Sequence, residues 1–397
     1  MYKVLFFLLL YSIVYSNDLQ ILNKDKKELR EVEKRIIQEQ YKSSNNSWIG
    51  GVDLSSSLNR SHSFSTESDK FTKSVSIGFS QSLYESGGIE FSIKNAKDTL
   101  NEQLIAWENE NLVILKTIYE TLLSIKKLKL QIEQNEFTYK NKEIELALKK
   151  IQYEAGDVDI TELNDAIMAK NTQFKNNIAL KNSLKDALYE LSKYTDLKYE
   201  EIEILDFKPI NKEDFINNSI DLKYENAKIN TLDSSYKELK SSYGLQVNFS
   251  SSLSYSESDE LNEDTNSRNK SGSLGLNFSL PLFDATKKYE LEKSRLEILK
   301  QKVNLSDIKK ELLNEYDQIL TQIDTYEKYF ITINENLELY EDLILINSVS
   351  NSAGMSSDYD LEILKNTKKI NEYDLEINDI DMQLQYSKLY FMTKVDS

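Results

Sequence analysis

Cysteine is missing from this 397-residue chain, and histidine occurs once, as His62. The first absence removes disulfide frameworks, thiolate metal centres and thiol nucleophiles. The second leaves too little imidazole for a histidine metal cluster and argues against a Ser/His/Asp triad. Breakers are scarce as well. The chain holds 10 glycines and 2 prolines, where average usage of about 7% and about 5% would supply roughly 28 and 20. Such a chain cannot be a loop-rich sandwich or a series of short βα units, and must run far in one conformation. Basic charge is short too, with 49 Lys and Arg against 66 Asp and Glu, for a net charge of −17. That argues against a nucleic-acid partner, because phosphate backbones need a basic stripe. No Gly-rich phosphate loop of the expected spacing occurs. These absences point away from an enzyme, and no cofactor or metal is expected.

Long apolar runs are lacking, with one short exception. Met1-Tyr2-Lys3 is followed by the apolar stretch Val4 to Val14 and then by Tyr15-Ser16. A basic start, a short apolar core and a small residue describe a cleavable signal peptide, residues 1–16. A membrane anchor would need about 20 apolar residues. No cysteine follows the run, so no lipid anchor is expected there. After Ser16 no stretch approaches a spanning helix, so the exported chain could meet a membrane only through strands, whose signal is far weaker.

What is present is a duplication, at an offset of roughly 198 residues, far longer than a solenoid period. Gly78-Phe79-Ser80-Gln81-Ser82-Leu83-Tyr84 is echoed by Asn277-Phe278-Ser279-Leu280-Pro281-Leu282-Phe283, and Ala155-Gly156 by Ala353-Gly354. We read residues 17–200 and 201–397 as two copies of one unit. The first copy predicts a helix over about 18–43, strands over about 47–58 and 74–84, a long helix over about 89–154 and a return helix over about 157–195. The second predicts a helix over about 213–241, strands over about 245–255 and 272–282, a long helix over about 284–351 and a return helix over about 356–394. Pro209 falls in the linker between the copies.

The strands alternate apolar residues with Ser, Asn and Gly, as in Leu245, Val247, Phe249, Ser251 and Leu253. Asn59–Lys73 and Ser256–Ser271 read as long polar loops between paired strands. Along the second long helix, Leu312, Tyr316, Ile319, Ile323, Tyr326, Phe330, Ile333, Leu337, Tyr340 and Ile344 fill a heptad seam. At about 1.5 Å per residue, some 66 helical residues reach roughly 100 Å. The opening and return helices together match the long one in length, so two shorter helices stacked end to end can pack along it. Gly156 and Gly354 mark the turns at the tips.

Four strands cannot close a barrel, since about eight is the smallest useful number. Left open in lipid, they would strand unpaired edge groups. Three copies would give a twelve-stranded barrel, apolar outside and Ser/Asn inside. Trp48, Tyr84 and Phe283, at segment ends, would form an aromatic belt. A soluble four-stranded sheet packed on a helical bundle is the competing reading.

At this point the residues resemble a family. Phe278-Ser279-Leu280-Pro281-Leu282-Phe283-Asp284, entering a long helix, is similar to the second-strand signature of TolC-type outer membrane efflux proteins. The duplicated unit and the glycine tips resemble that family over essentially the whole mature chain. The resemblance implies a mainly α fold with a small β part, and a homotrimer whose twelve-stranded barrel contacts outer-membrane lipid and continues as an α-helical barrel across the periplasm. It implies no catalysis, and two partners: a periplasmic adaptor (membrane fusion) protein and an inner-membrane pump or ABC transporter. Pro281 and Phe283 take the strand-to-helix junction, and Gly156 and Gly354 the tips that dock the adaptor. Four positions before each tip glycine, where the family often carries a basic residue, stand Gln152 and Ser350. Asp360 matches one position of the family's acidic gate ring, Ile363 stands at the other, and Asp358 and Glu362 lie close by.

The first tip is followed by Asp157, Asp159 and Glu162. Two readings of the acidic tips stay open. Rings of carboxylates bias a pore toward cations, whereas acids at a helix start also act as caps, with Asp159 and Glu162 spaced as a capping box. His62 reads as a surface residue of a polar loop, Tyr316, Tyr326 and Tyr340 as seam packing or duct lining, and Lys126-Lys127 and Lys149-Lys150 as solvated faces. The functional expectation is the exit duct of a tripartite efflux system, passively exporting small toxic compounds. The outer-membrane component of a type I protein secretion system is the alternative within the same architecture. An exported coiled-coil scaffold or adhesin is the alternative from another class.

Overall fold

Few breakers translate directly into long helices. In the computed structural model, which describes residues 19–260 and 265–393, the helices are α1 (Lys24–Asn45), α2 (Gly88–Ala155), α3 (Ile160–Ser192), α4 (Lys212–Asn218), α5 (Ile220–Ser242), α6 (Lys287–Ser352) and α7 (Asp358–Phe391). The strands are β1 (Val52–Ser63), β2 (Ser68–Tyr84), β3 (Gln246–Glu260) and β4 (Thr265–Ser279). The signal segment, 1–16, lies outside the described residues. Helix α2 has 68 residues and α6 has 66, each about 100 Å of helix. Among the described residues no helix is long and apolar enough to cross a membrane. The protein is mainly α with one small antiparallel sheet.

The chain divides into two compact units, and each holds a piece of both sequence copies. One takes residues up to Glu31, Glu108–Asp221 and Ile308 onward; the other takes Val32–Trp107 and Leu222–Asp307. A helix of this length outruns any single core, so each part packs with what lies beside it rather than with its chain neighbours.

In the first unit, α2 buries Ile118, Leu122 and Ile125 completely, and α6 adds Leu312, Tyr316, Ile319 and Ile323. Aromatic rings fill the space where these helices meet α7. Tyr119 lies 5.7 Å from Phe391 and 5.9 Å from Phe207, centroid to centroid. Tyr316 is core rather than duct lining: it packs against Phe215 at 5.1 Å, and its hydroxyl donates to the Ile210 carbonyl at 2.9 Å. Lys127, read from the sequence as solvated, donates to both carboxylate oxygens of Asp381 on α7, at 2.6 and 2.8 Å.

The helix expected over 213–241 is two helices. The chain breaks at Ser219, which forms an antiparallel bridge with Thr393, while the Ile220 amide donates to the Met392 carbonyl at 3.2 Å. Both residues are almost fully buried, so a long-range pairing overrides the local helical pattern.

In the second unit the four strands form one sheet in the order β1-β2-β3-β4, antiparallel throughout. The residues expected as polar loops are largely strand. Between β1 and β2 only residues 64–67 turn. In the second hairpin the connecting residues, 261–264, lie outside the described residues. The cause is cross-strand chemistry that periodicity does not report. Beyond the apolar rows, Arg60 meets Asp69 at 3.3 Å, Lys73 meets Asp259 at 3.7 Å and Arg268 meets Glu257 at 3.1 Å. His62 thus sits on a strand, 3.2 Å from Asp69. At the other end β4 stops at Ser279, short of Pro281, which has no amide to give a ladder.

Candidate functional site

The helical tips belong to the first unit. Helix α2 ends when Gly156 turns to φ +82°, and α6 ends when Gly354 turns to φ +72°. Both ends make the same two hydrogen bonds. The Gly156 amide donates to the Tyr153 carbonyl at 3.1 Å and the Asp157 amide to the Gln152 carbonyl at 2.9 Å. At the second tip, Gly354 donates to Asn351 at 2.9 Å and Met355 to Ser350 at 2.8 Å. This is the Schellman arrangement, which caps the last carbonyls of a helix. Gln152 and Ser350, where the family often has a basic residue, thus serve through their carbonyls. A Cβ at either glycine would meet nothing within 4 Å, so the backbone conformation, and not space, calls for glycine.

The six carboxylates that follow are all exposed, and the two tips use them differently. Asp159 is the N-cap of α3, accepting from the Thr161 amide at 2.8 Å and the Glu162 amide at 3.0 Å. Those donors hold its carboxyl below the usual 3.8. Glu162 does not complete a capping box; its side chain reaches across to Lys149 on α2 at 2.6 Å. Lys149 is therefore paired and not merely solvated. At the second tip the box is present, at the positions equivalent to Asp159 and Glu162. Ser357 Oγ accepts from the Asp360 amide at 3.2 Å, while the Asp360 carboxylate accepts from the Ser357 amide at 3.3 Å and its hydroxyl at 2.7 Å. Asp358 accepts from Asn351 Nδ2 on α6 at 2.7 Å. Sequence reasoning missed Ser357, Asn351 and Lys149; the Ser-x-x-acid spacing before α7 was the available signal.

The sheet, in the second unit, presents two chemically opposite faces. On one, Val52, Leu54, Val75, Ile77, Leu253, Leu274, Leu276 and Phe278 are exposed. The other is a ladder of hydroxyls: Ser55 with Ser76 and Ser57 with Ser74 at 2.7 Å, Ser252 with Ser273 at 2.8 Å, Ser254 with Ser271 at 2.7 Å. The cross-strand register sets the even positions of β1 and β4 in line with the odd positions of β2 and β3, which keeps each chemistry on its own side. The outer edges of β1 and β4 pair with no strand among the described residues. Trp48, Tyr84 and Phe283 lie exposed at the helix-proximal end of the sheet. Trp48 is fixed there by Gln81, whose Nε2 donates to its carbonyl at 2.9 Å. Pro281 and Phe283 lie between β4 and α6, where the Asp284 carboxylate accepts from the Thr286 amide at 2.7 Å to start the helix. Among the described residues no cluster of His, Cys, Asp or Glu could hold a metal ion.

The fold has close counterparts among solved structures. The outer membrane protein VceC from Vibrio cholerae is 12% identical and superposes with a TM-score of 0.73 over 94% of each chain. The CmeC outer membrane channel of Campylobacter jejuni is 14% identical, with a TM-score of 0.72 over 96% of this chain and 86% of that one. The MtrE outer membrane channel of Neisseria gonorrhoeae, in its open state, is 12% identical, with a TM-score of 0.70 over 95% and 87%. At such identities the likeness speaks for the fold alone. No curated protein matches in sequence. The sequence evidence is that residues 23–195 match the family of outer membrane efflux proteins. That match lies in the first half of the chain, and the fold shared with these outer membrane channels extends over almost all of its length.

Proposed function

We propose that three copies of this chain form an outer-membrane exit duct, through which a tripartite assembly passively exports small toxic compounds. One observation carries the reading: a sheet with an exposed apolar face, a hydroxyl face and two unpaired edges. In water such an apolar face is a liability, and in lipid such edges are. Closure by three copies removes both, placing the serine ladder around an aqueous lumen and the leucines in lipid. On β3 the apolar positions run from Val247 to Tyr255, about nine residues, the length a tilted strand needs to cross a bilayer. Trp48, Tyr84 and Phe283 then take the periplasmic aromatic belt.

The helices support assembly of copies side by side. Ile160, Ile167 and Phe174 on α3 recur every seventh residue and are exposed, as are Leu339 and Ile346 on α6. Neighbouring copies would cover these stripes by coiled-coil packing. We assign the Gly156 and Gly354 tips to docking of a periplasmic adaptor, itself joined to an inner-membrane pump or ABC transporter. Asp358, Asp360 and Glu362, with Asp157, Asp159 and Glu162, would line the periplasmic gate as carboxylate rings that favour cations.

The test is single-channel conductance of protein purified from the outer-membrane fraction. Heat-modifiable trimers with a conductance are expected; soluble monomers without one would return the chain to the scaffold or adhesin class. Asp360→Ala would remove both the charge and the cap on α7, so the informative variant is Asp360→Asn. Unchanged cation selectivity and divalent block in that variant would exclude the gate. A deletion strain that loses a secreted protein while keeping its drug resistance would favour protein secretion over efflux.

A further inference from the structure

Above the apolar rows of the sheet the same face turns charged, and among the described residues its charges do not balance. Register puts Arg60, Lys73, Arg268 and Lys270 on this face. Three of these cations have a carboxylate within the sheet: Asp69, Asp259 and Glu257 respectively. Lys270 is exposed and reaches none of the described carboxylates. It lies opposite Tyr255, in the outermost apolar row. Two residues along β4, Gly272 lies opposite Leu253. The Leu253 side chain leans over the glycine, and a groove opens among Leu54, Ile77, Leu253 and Tyr255, with Lys270 at its rim.

We propose that this groove holds a phosphate-bearing lipid, with an acyl chain on the apolar floor and the phosphate on Lys270 Nζ. The inference rests on the reading of this face as lipid-facing. An aliphatic floor ending in a single cation suits a molecule with a hydrocarbon chain and an anionic head. A lysine stem can lie along apolar surface while its ammonium stays at the headgroup level.

Barrel closure does not supply the missing anion. The edge of β4 would receive β1 of the next copy, and on this face β1 carries Val52, Leu54, Ser56, Leu58, Arg60 and His62. Its one acid, Asp53, belongs to the serine face. Closure by β1 therefore brings Arg60, already paired with Asp69, and no carboxylate of β1 toward Lys270. A surplus of positive charge on a chain of net −17, at the border of its apolar band, is where a lipid phosphate would be held.

The experiment uses full-length trimers extracted from the outer membrane and titrated with lipid A, the retained lipid being counted by native mass spectrometry. Lys270→Ala should weaken retention about tenfold, the loss of a charge-assisted contact. Gly272→Leu should weaken it with the charge in place, and Lys73→Ala, whose cation is already paired, should change it by less than about twofold. Retention unaffected by Lys270→Ala would overturn the proposal. So would equal retention of dephosphorylated lipid A, or displacement by inorganic phosphate at the same concentration, which would mark a site for free anions. Conducting trimers that fail these tests leave the duct reading intact; a wild-type protein that forms no membrane trimers overturns both.

Discussion

Two glycines end the two longest helices, and each is held in the left-handed region with open space around it. Any cost of replacing them is therefore conformational. Gly156→Ala or Gly354→Ala should destabilise its hairpin by about 1–2 kcal/mol, with Asn recovering much of the loss. Hydrogen exchange of the amides flanking each tip would register it. Asp159 invites a second prediction. The Glu162 and Thr161 amides keep its carboxyl below the usual 3.8. A depressed carboxyl stabilises the folded state above its unfolded pKa, and that contribution disappears as pH falls through the folded value. Exchange protection at Thr161 and Glu162 should thus persist at neutral pH and decline as acid passes below 3.8. Asp159→Asn should remove that pH dependence while keeping an acceptor at the cap.

Among the elements, α2 has two kinds of hold on its neighbours. Ile118 and Ile125 are completely buried, and truncating either to Ala should cost about 2–5 kcal/mol through transfer and cavity terms. The Lys127–Asp381 pair is a different case, since both side chains keep partial solvent contact, at 28% and 18% exposure. Its double-mutant coupling, read from denaturant midpoints, should come to only about 1 kcal/mol. A coupling larger than the cost of either isoleucine truncation would make this ion pair the stronger hold on α2. Apolar packing holds the middle of the helix, whereas toward the tip polar clips such as Gln134 to Asp374 at 2.6 Å replace it, the end that the proposed duct would open.

For the whole molecule, the decisive property is which side of the sheet meets water. The absence of cysteine makes this directly measurable. Ser254→Cys and Ser271→Cys, on the hydroxyl face, should react with a charged thiol reagent in intact cells. Leu253→Cys and Leu274→Cys, on the apolar face, should be shielded by lipid. Equal labelling of both faces would indicate a soluble sheet and would remove the barrel.

The sequence by itself determined the order of parts and the ends of the long helices, because both rest on local physics. A run without breakers stays helical, a residue forced to positive φ is best a glycine, and alternation marks a strand wherever one face is apolar. Local physics also left the Ser357–Asp360 cap within reach, as a spacing that was there to be read. It could not extend β1 to Ser63 or start β2 at Ser68, since those residues are held by partners such as Asp69 for Arg60, known only once the register is set. Nor could it break the helix at Ser219, whose partner Thr393 lies at the far end of the chain. Tertiary structure alone decided these points, and it alone set Lys270 at the rim of an apolar groove with no described carboxylate in reach. Periodicity records what a residue repeats along its own element, while pairing energy depends on what another element brings to it.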